Sequence, residues 1–136
     1  MRHLTIGLMI GVMLGLASCG ERYPDAVDMG VDYSWRSTQD AGAISPLINL
    51  TSVPDATKRF RVELVDLDMT MASHGYGLVA YNGKPVIETG AVKDSYVGPR
   101  PPPGQTHRYE ITVKALDESG EVIGIGQQVK QYPPAD

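Results

Sequence analysis

The alternation of apolar and polar side chains is the feature that most constrains how this chain can fold. In the stretch HRYEITVKALD, residues 107–117, one face of an extended strand carries Tyr109, Ile111, Val113 and Ala115. A period of two residues is typical of a half-buried β-strand, because successive side chains of a strand point to opposite faces of the sheet. The stretch FRVELVDLD, residues 60–68, has the same period.

Other short apolar stretches follow the same plan, and turn signals such as Asn82-Gly83 separate them. No segment beyond the N-terminal region has a convincing helical period, so the pattern predicts an all-β domain with few or no helices, either a sandwich or a barrel. We place this domain at residues 44–136. Residues 19–43 contain Pro24 and scattered acidic residues with little periodicity, which predicts a tether or an irregular first segment.

The N-terminus has the organisation of a secretory signal. Arg2 and His3 precede an apolar run over residues 4–16, and the small residues Ala17 and Ser18 follow it. The run is shorter than the roughly 20 apolar residues that a membrane-spanning helix needs. We therefore predict a signal peptide over residues 1–18, with a buried core helix as the alternative.

The stretch LASC, residues 16–19, resembles the lipobox of bacterial lipoproteins and contains Cys19, the only cysteine of the chain. The resemblance implies cleavage before Cys19, acylation of its thiol and anchoring to a membrane, since several acyl chains bind firmly. Gly20 replaces the Asp that retains some lipoproteins at the inner membrane. The expected location is therefore the periplasmic face of the outer membrane.

Composition argues against several functions. The chain has 12 Lys and Arg against 16 Asp and Glu, a net charge of −4, and no basic stripe for nucleic acid. A single cysteine allows neither an intrachain disulfide nor a thiolate metal site. With three histidines and no Gly-x-Ser-x-Gly motif, the sequence predicts no catalytic centre, no metal and no cofactor.

Strand parity predicts one polar cluster. Asp66 and Asp68 continue the inward face of the first alternating strand, and His107 continues that of the second. A buried charge is costly without a partner, so an Asp–His hydrogen bond is expected at the strand ends. From parity alone, a structural pair that holds a loop and a ligand site are equally good interpretations.

The run YVGPRPPPGQTHRYEITVKALD, with SPLINLTSVPDATKRFRVELVDLD and YNG, resembles the phosphatidylethanolamine-binding protein family and its bacterial Raf kinase inhibitor-like branch. The likeness covers residues 45–117. It implies an antiparallel β-sandwich with a small pocket for phosphate-like head groups, lined by an Asp, a His, a Gly-Pro loop and a second His with its Tyr. The matching positions in this chain are Asp66, Gly98, Pro101, Pro102, His107 and Tyr109.

Three departures from the family pattern stand out. The Asp-Pro-Asp-x-Pro motif is replaced by residues 66–70, which contain no proline. Counting along the motif puts the family's first pocket histidine at Gly77, while His74 lies a few residues earlier, where we expect an exposed loop histidine. There is no room for a helix before the last strand. Asp68 and His74 remain additional candidate ligand-binding residues.

Two functions follow as expectations. The first is a non-enzymatic envelope lipoprotein that binds a small anionic or phosphate-bearing ligand. The second is a structural or protein-interaction lipoprotein with a degenerate pocket and an envelope protein as its partner. The sequence predicts no nucleic-acid partner for either.

Overall fold

The structure is a computed structural model that describes residues 23–35, 44–69 and 72–134. The predicted signal segment, Cys19 and residues 36–43 lie outside the described residues. Those that are described form eight strands and no helix: β1 (Val27–Asp28), β2 (Gly30–Tyr33), β3 (Ile48–Thr51), β4 (Arg59–Asp66), β5 (Ala72–Ala80), β6 (Val86–Ile87), β7 (His107–Leu116) and β8 (Val122–Tyr132). No helix suited to crossing a bilayer occurs in these ranges.

The strands form two sheets that pack face to face. The larger has the order β1-β8-β7-β4-β5, and the smaller has the order β2-β3-β6. All pairings are antiparallel except that between β1 and β8, which is parallel over two residue pairs. The predicted all-β sandwich is confirmed, and this short parallel pairing is the one departure from a purely antiparallel arrangement among the described strands.

The core lies between the two sheets and follows the predicted parity. Each apolar residue that the alternation placed inward on β4 and β7 is buried: Phe60, Val62, Leu64, Tyr109, Ile111, Val113 and Ala115. The smaller sheet covers them with Val31, Tyr33, Ile48 and Leu50. The Tyr33 hydroxyl donates a hydrogen bond to the Tyr109 carbonyl oxygen at 3.1 Å and so links the two sheets.

The sandwich extends further toward the N-terminus than residue 44. Strands β1 and β2 lie within residues 19–43, the segment predicted as a tether or an irregular first segment. Trp35, just after β2, packs edge-on against Tyr33, Tyr109 and Tyr132 with ring centroids 5.0, 6.1 and 5.7 Å away. Trp35 is therefore a packing residue that joins β2 to the larger sheet.

Strand β5 contains a bulge that matters for the site. Glu63 pairs with Tyr76 and Val65 pairs with Ser73, so His74 and Gly75 together stand opposite Leu64. Gly75 has a φ of +97°, and a Cβ at this position would overlap the Ser95 carbonyl oxygen. Such a bulge changes the face to which the following side chains point.

We expect Gly75→Ala to destabilise the fold more than Gly83→Ala does. Both glycines have a positive φ, but no atom lies within 4 Å of a Cβ built at Gly83. The control variant, Gly83→Ala, should therefore lower the free energy of unfolding by about 1 kcal/mol through backbone strain alone. In Gly75→Ala the backbone of Ser95 must also move to make room for the Cβ. The free energy of unfolding should therefore fall by about 3 kcal/mol or more. Urea unfolding measures both, and equal losses would contradict the steric role of Gly75.

Candidate functional site

The candidate site lies where β4 ends and β7 begins. Asp66 is opposite Tyr109 in the antiparallel register, which brings it beside His107. Asp66 Oδ2 is 2.8 Å from His107 Nδ1. Asp66 is fully buried and His107 is 7% exposed. The two side chains therefore lie together, as strand parity and the family resemblance predicted.

The second oxygen of Asp66 holds the turn that follows β4. Asp66 Oδ1 accepts hydrogen bonds from the backbone N–H groups of Asp68 at 2.9 Å and Met69 at 3.1 Å. A carboxylate that caps backbone donors in this way stabilises a turn without proline. The missing prolines of the family motif therefore do not displace Asp66.

Asp68 does not join the cluster, so the predicted inward parity is wrong for this residue. Strand β4 ends at Asp66, and the chain turns before Asp68. The Asp68 carboxylate accepts a hydrogen bond from the Arg108 backbone N–H at 2.6 Å and pairs with the exposed Arg108 guanidinium at 2.7 Å. The Arg108 side-chain and backbone donors lower the pKa of Asp68 to about 2.

His74 is part of the cluster, which corrects its assignment to an exposed loop. It belongs to β5, and its side chain is only 11% exposed. Nδ1 donates to the Gly98 carbonyl oxygen at 2.6 Å, and Nε2 is 3.9 Å from Asp66 Oδ2. The ring also meets Tyr109 edge-on, with 5.3 Å between centroids. Asp66 therefore has an imidazole on two sides.

Gly77 leaves no empty space where the motif count placed the family's histidine. It is buried opposite Val62, and a Cβ at this position would lie 2.7 Å from Val92 Cγ1. Val92 thus fills the volume next to Gly77. The bulge at Gly75 directs His74, three positions earlier, toward Asp66 instead. The signal in the sequence was a glycine within a strand, which often marks a bulge.

The proline-rich loop connects His74 to His107. Gly98 is buried with a φ of +73°, Pro101 and Pro102 are half-buried, and Gln105 N–H donates to the Pro102 carbonyl at 3.0 Å. Pro103 and Gly104, which has a φ of +77°, occupy the centre of that turn, as a type II turn requires.

The same loop carries a contact that sequence reasoning missed. Gln105 Oε1 is 3.1 Å from His107 Nε2. No pattern in the sequence pointed to this glutamine, since its only mark is its position two residues before His107.

Tyr109 places a hydroxyl at the centre of the cluster. The residue is completely buried, and within the described residues its hydroxyl makes no hydrogen bond of acceptable geometry. Burial first, and then the nearby Asp66 carboxylate, raise the pKa of Tyr109 well above its usual value. Tyr109 therefore stays a neutral donor at physiological pH.

The hydrogen-bond partners fix the protons of the cluster. The Gly98 carbonyl and the Asp66 carboxylate can only accept, so Nδ1 of each histidine carries a hydrogen. Burial opposes ionisation of Asp66, but the His107 hydrogen bond, the Asp68 backbone N–H and the Tyr109 dipole outweigh it and lower its pKa. The site thus combines an ionised carboxylate, a phenol and two imidazoles. A hydrogen on His107 Nε2 is donated to Gln105 Oε1, whereas His74 Nε2 lies 3.9 Å from Asp66 Oδ2.

Comparison with known proteins identifies the family. The chain belongs to the phosphatidylethanolamine-binding protein family, whose model matches residues 24–132. The UPF0098 protein YbhB of Escherichia coli K12 is 35% identical in an alignment 99 residues long, and the match covers 57% of this chain and 63% of that relative's length.

Two solved structures share the fold. The phosphatidylethanolamine-binding protein homologue CT736 of Chlamydia trachomatis has a TM-score of 0.57 at 16% identity, with 82% of this chain and 99% of that chain covered. E. coli YbcL, described as a new member of the mammalian family, has a TM-score of 0.52 at 17% identity, with 70% and 82% covered.

We expect the stability of the domain to fall below about pH 4. Asp66 and Asp68 have lower pKa values in the folded chain than the unfolded value of 3.8. The folded chain therefore binds fewer protons, and this stabilisation is complete above that value and is lost as pH falls through the folded pKa values. For Asp68 the loss extends to about pH 2.

Asp66→Asn should flatten this acid dependence and cost about 1–3 kcal/mol at pH 7, because His107 loses a buried charged partner. Asn retains an oxygen for the turn, so the loss reports on the histidine pair. Asp68→Asn is the control and should cost much less, because its ion pair is exposed. Chemical unfolding between pH 2 and 7 measures both variants. An Asp66→Asn variant as stable as wild type at pH 7 would contradict the buried pair.

Proposed function

We propose that this chain is a non-enzymatic envelope lipoprotein whose domain binds a small phosphate-bearing anion at the site formed by Asp66, His74, His107 and Tyr109. The observation that carries the proposal is the position of His74. His74 supplies a second imidazole beside Asp66, although counting along the family motif had put Gly77 at the position of that histidine. Two imidazoles flank one buried carboxylate, and each has its Nδ1 hydrogen committed to the protein.

The charges of the cluster favour an anion under defined conditions. Asp66 carries one negative charge, so a single protonated imidazole leaves the cluster neutral, and two protonated imidazoles give it a net charge of +1. The His74 Nε2–H group and the Tyr109 hydroxyl then supply donors for phosphate oxygens, and the His107 Nε2–H group joins them if Gln105 Oε1 moves away from it. Asp66 stabilises the imidazolium ions and orients His107. Affinity should therefore fall as pH rises and the histidines lose their protons.

The name of the family supports a phosphate-bearing head group as the ligand class. The absence of catalysis is part of the proposal, because nothing in the cluster positions a nucleophile beside the histidines.

Anchoring through an acylated Cys19, at the periplasmic face of the outer membrane, rests on the resemblance of residues 16–19 to a lipobox.

One observation favours the alternative of a structural or protein-interaction lipoprotein. The Tyr109 hydroxyl is closed to solvent, and the imidazoles expose only about a tenth of their surface. A ligand therefore reaches the site only if His74 or the loop from Gly98 to Gln105 shifts. A site that never opens would leave the sandwich itself to contact an envelope protein.

Phosphoethanolamine should bind weakly to the wild-type domain, and its binding should weaken as the pH is raised and the imidazoles lose their positive charge. His74→Gln and His107→Gln should each lower the affinity at least about tenfold, because each removes a charged donor. Arg108→Gln is the matched control. Arg108 is the neighbour of His107 in β7, but its charged side chain points to the exposed face of the sheet, away from the cluster. Amide chemical shifts followed by NMR measure all four proteins.

Equal responses from wild type and the histidine variants would refute the role of the imidazoles. A loss with Arg108→Gln as large as that with His107→Gln would point to unspecific charge attraction. A wild-type domain that shows no shifts at any pH would favour the alternative function.

Cys19→Ser should prevent acylation and release the protein from the membrane fraction, because the acyl chains supply the membrane affinity. Metabolic labelling with a fatty-acid analogue tests this in cells. Label retained in the variant would show that Cys19 is not the site of lipidation.

A further inference from the structure

The first described residue, Tyr23, and the candidate site lie at opposite ends of the larger sheet. Tyr23 lies beside the turn between β7 and β8, where it borders a cavity together with Gly120 and Val122. Lys114 Nζ is 5.3 Å from the centre of the Tyr23 ring. The site lies at the other end of β7, which begins at His107.

Two lengths set the geometry of anchoring. Cys19 precedes Tyr23 by four residues, and a fully extended chain of four residues spans at most about 14 Å. Along β7, the seven residues from Lys114 to His107 span about 23 Å. The distance from the anchor end to the site is therefore greater than the tether can reach.

We propose that the site takes its phosphate group from a soluble molecule and not from a head group of the leaflet that anchors the chain. This inference rests on the proposed function. If the site end of the sheet faced that leaflet, Tyr23 would stand about 23 Å or more above the surface, beyond the reach of the tether. A domain lying flat on the leaflet would direct the strand ends sideways, away from the head groups.

The orientation can be measured without any ligand. The lipidated chain is placed in vesicles with a quencher at the lipid surface, and a fluorophore is attached to one of two exposed positions. Glu118→Cys labels the turn at the anchor end, and Pro103→Cys labels the loop at the site end. We expect strong quenching of the first label and little of the second. Equal quenching, or stronger quenching at Pro103, would overturn the inference.

A second experiment distinguishes the two sources of phosphate. Soluble phosphoethanolamine is titrated onto the lipidated chain in vesicles of phosphatidylethanolamine and, separately, in phosphate-free galactolipid vesicles. Trp35 is the only tryptophan of the chain, and its ring lies 6.1 Å from that of Tyr109, so its fluorescence reports on the site. A variant with ten Gly and Ser residues inserted after Gly20 gives the site end enough reach to meet the leaflet.

We expect the wild-type affinity for phosphoethanolamine to differ by less than about twofold between the two vesicles. The lengthened variant should bind it about tenfold more weakly in phosphatidylethanolamine vesicles, because tethered head groups compete at millimolar effective concentration. If phosphatidylethanolamine head groups weaken phosphoethanolamine binding as much in wild type as in the lengthened variant, the inference is overturned. If they do not weaken it in the lengthened variant, the length of the tether is not what keeps the site from the leaflet. If phosphoethanolamine binds in neither vesicle, the proposed function fails and this inference falls with it, whatever orientation the labels show.

Discussion

The hydrogen bonds of one buried carboxylate connect the site of this protein to its fold. Asp66 is closed to solvent and ionised, so each of its oxygens needs donors. Oδ1 takes them from the backbone of the turn after β4, and Oδ2 takes one from His107 at the start of β7. The end of one strand, the following turn and the start of another strand therefore have to come together in one arrangement. Any change that removes one of these donors affects the fold and the site at the same time.

The part of the site that the sequence predicted is the part that obeys strand parity. Asp66 and His107 each continue a regular alternation, and the period of two sends both side chains inward. Parity failed for Asp68, because hydrogen bonds to Asp66 end the strand and turn the chain. The assignment of His74 to an exposed loop was wrong because the residue lies in β5, where the bulge at Gly75 turns its side chain toward Asp66. A glycine within a strand is a local signal for a bulge. The bulge also depends on the Ser95 backbone, which is distant in the sequence, so the local signal does not specify where the His74 side chain points.

The departures from the family motif are compensated by different local chemistry. Where the family has prolines to stiffen the turn, this chain has side-chain acceptors, with Asp66 capping backbone N–H groups and Asp68 binding Arg108. At Gly77, Val92 fills the space and His74 approaches Asp66 from a neighbouring position. A motif count alone therefore misses that two imidazoles flank Asp66 in this chain.

Strand β5 forms one edge of the larger sheet, and the segment from Asp94 to Val97 covers it. Ser95 exchanges hydrogen bonds with Tyr76 through its backbone and hydroxyl, Asp94 accepts from Leu78 N–H, and Val97 N–H donates to His74. At the other edge, β1 is only two residues long. Exposed strand edges are templates for pairing between chains. Because the segment from Asp94 to Val97 occupies the β5 edge, the backbone of β5 is not open there for a strand of another copy to pair with.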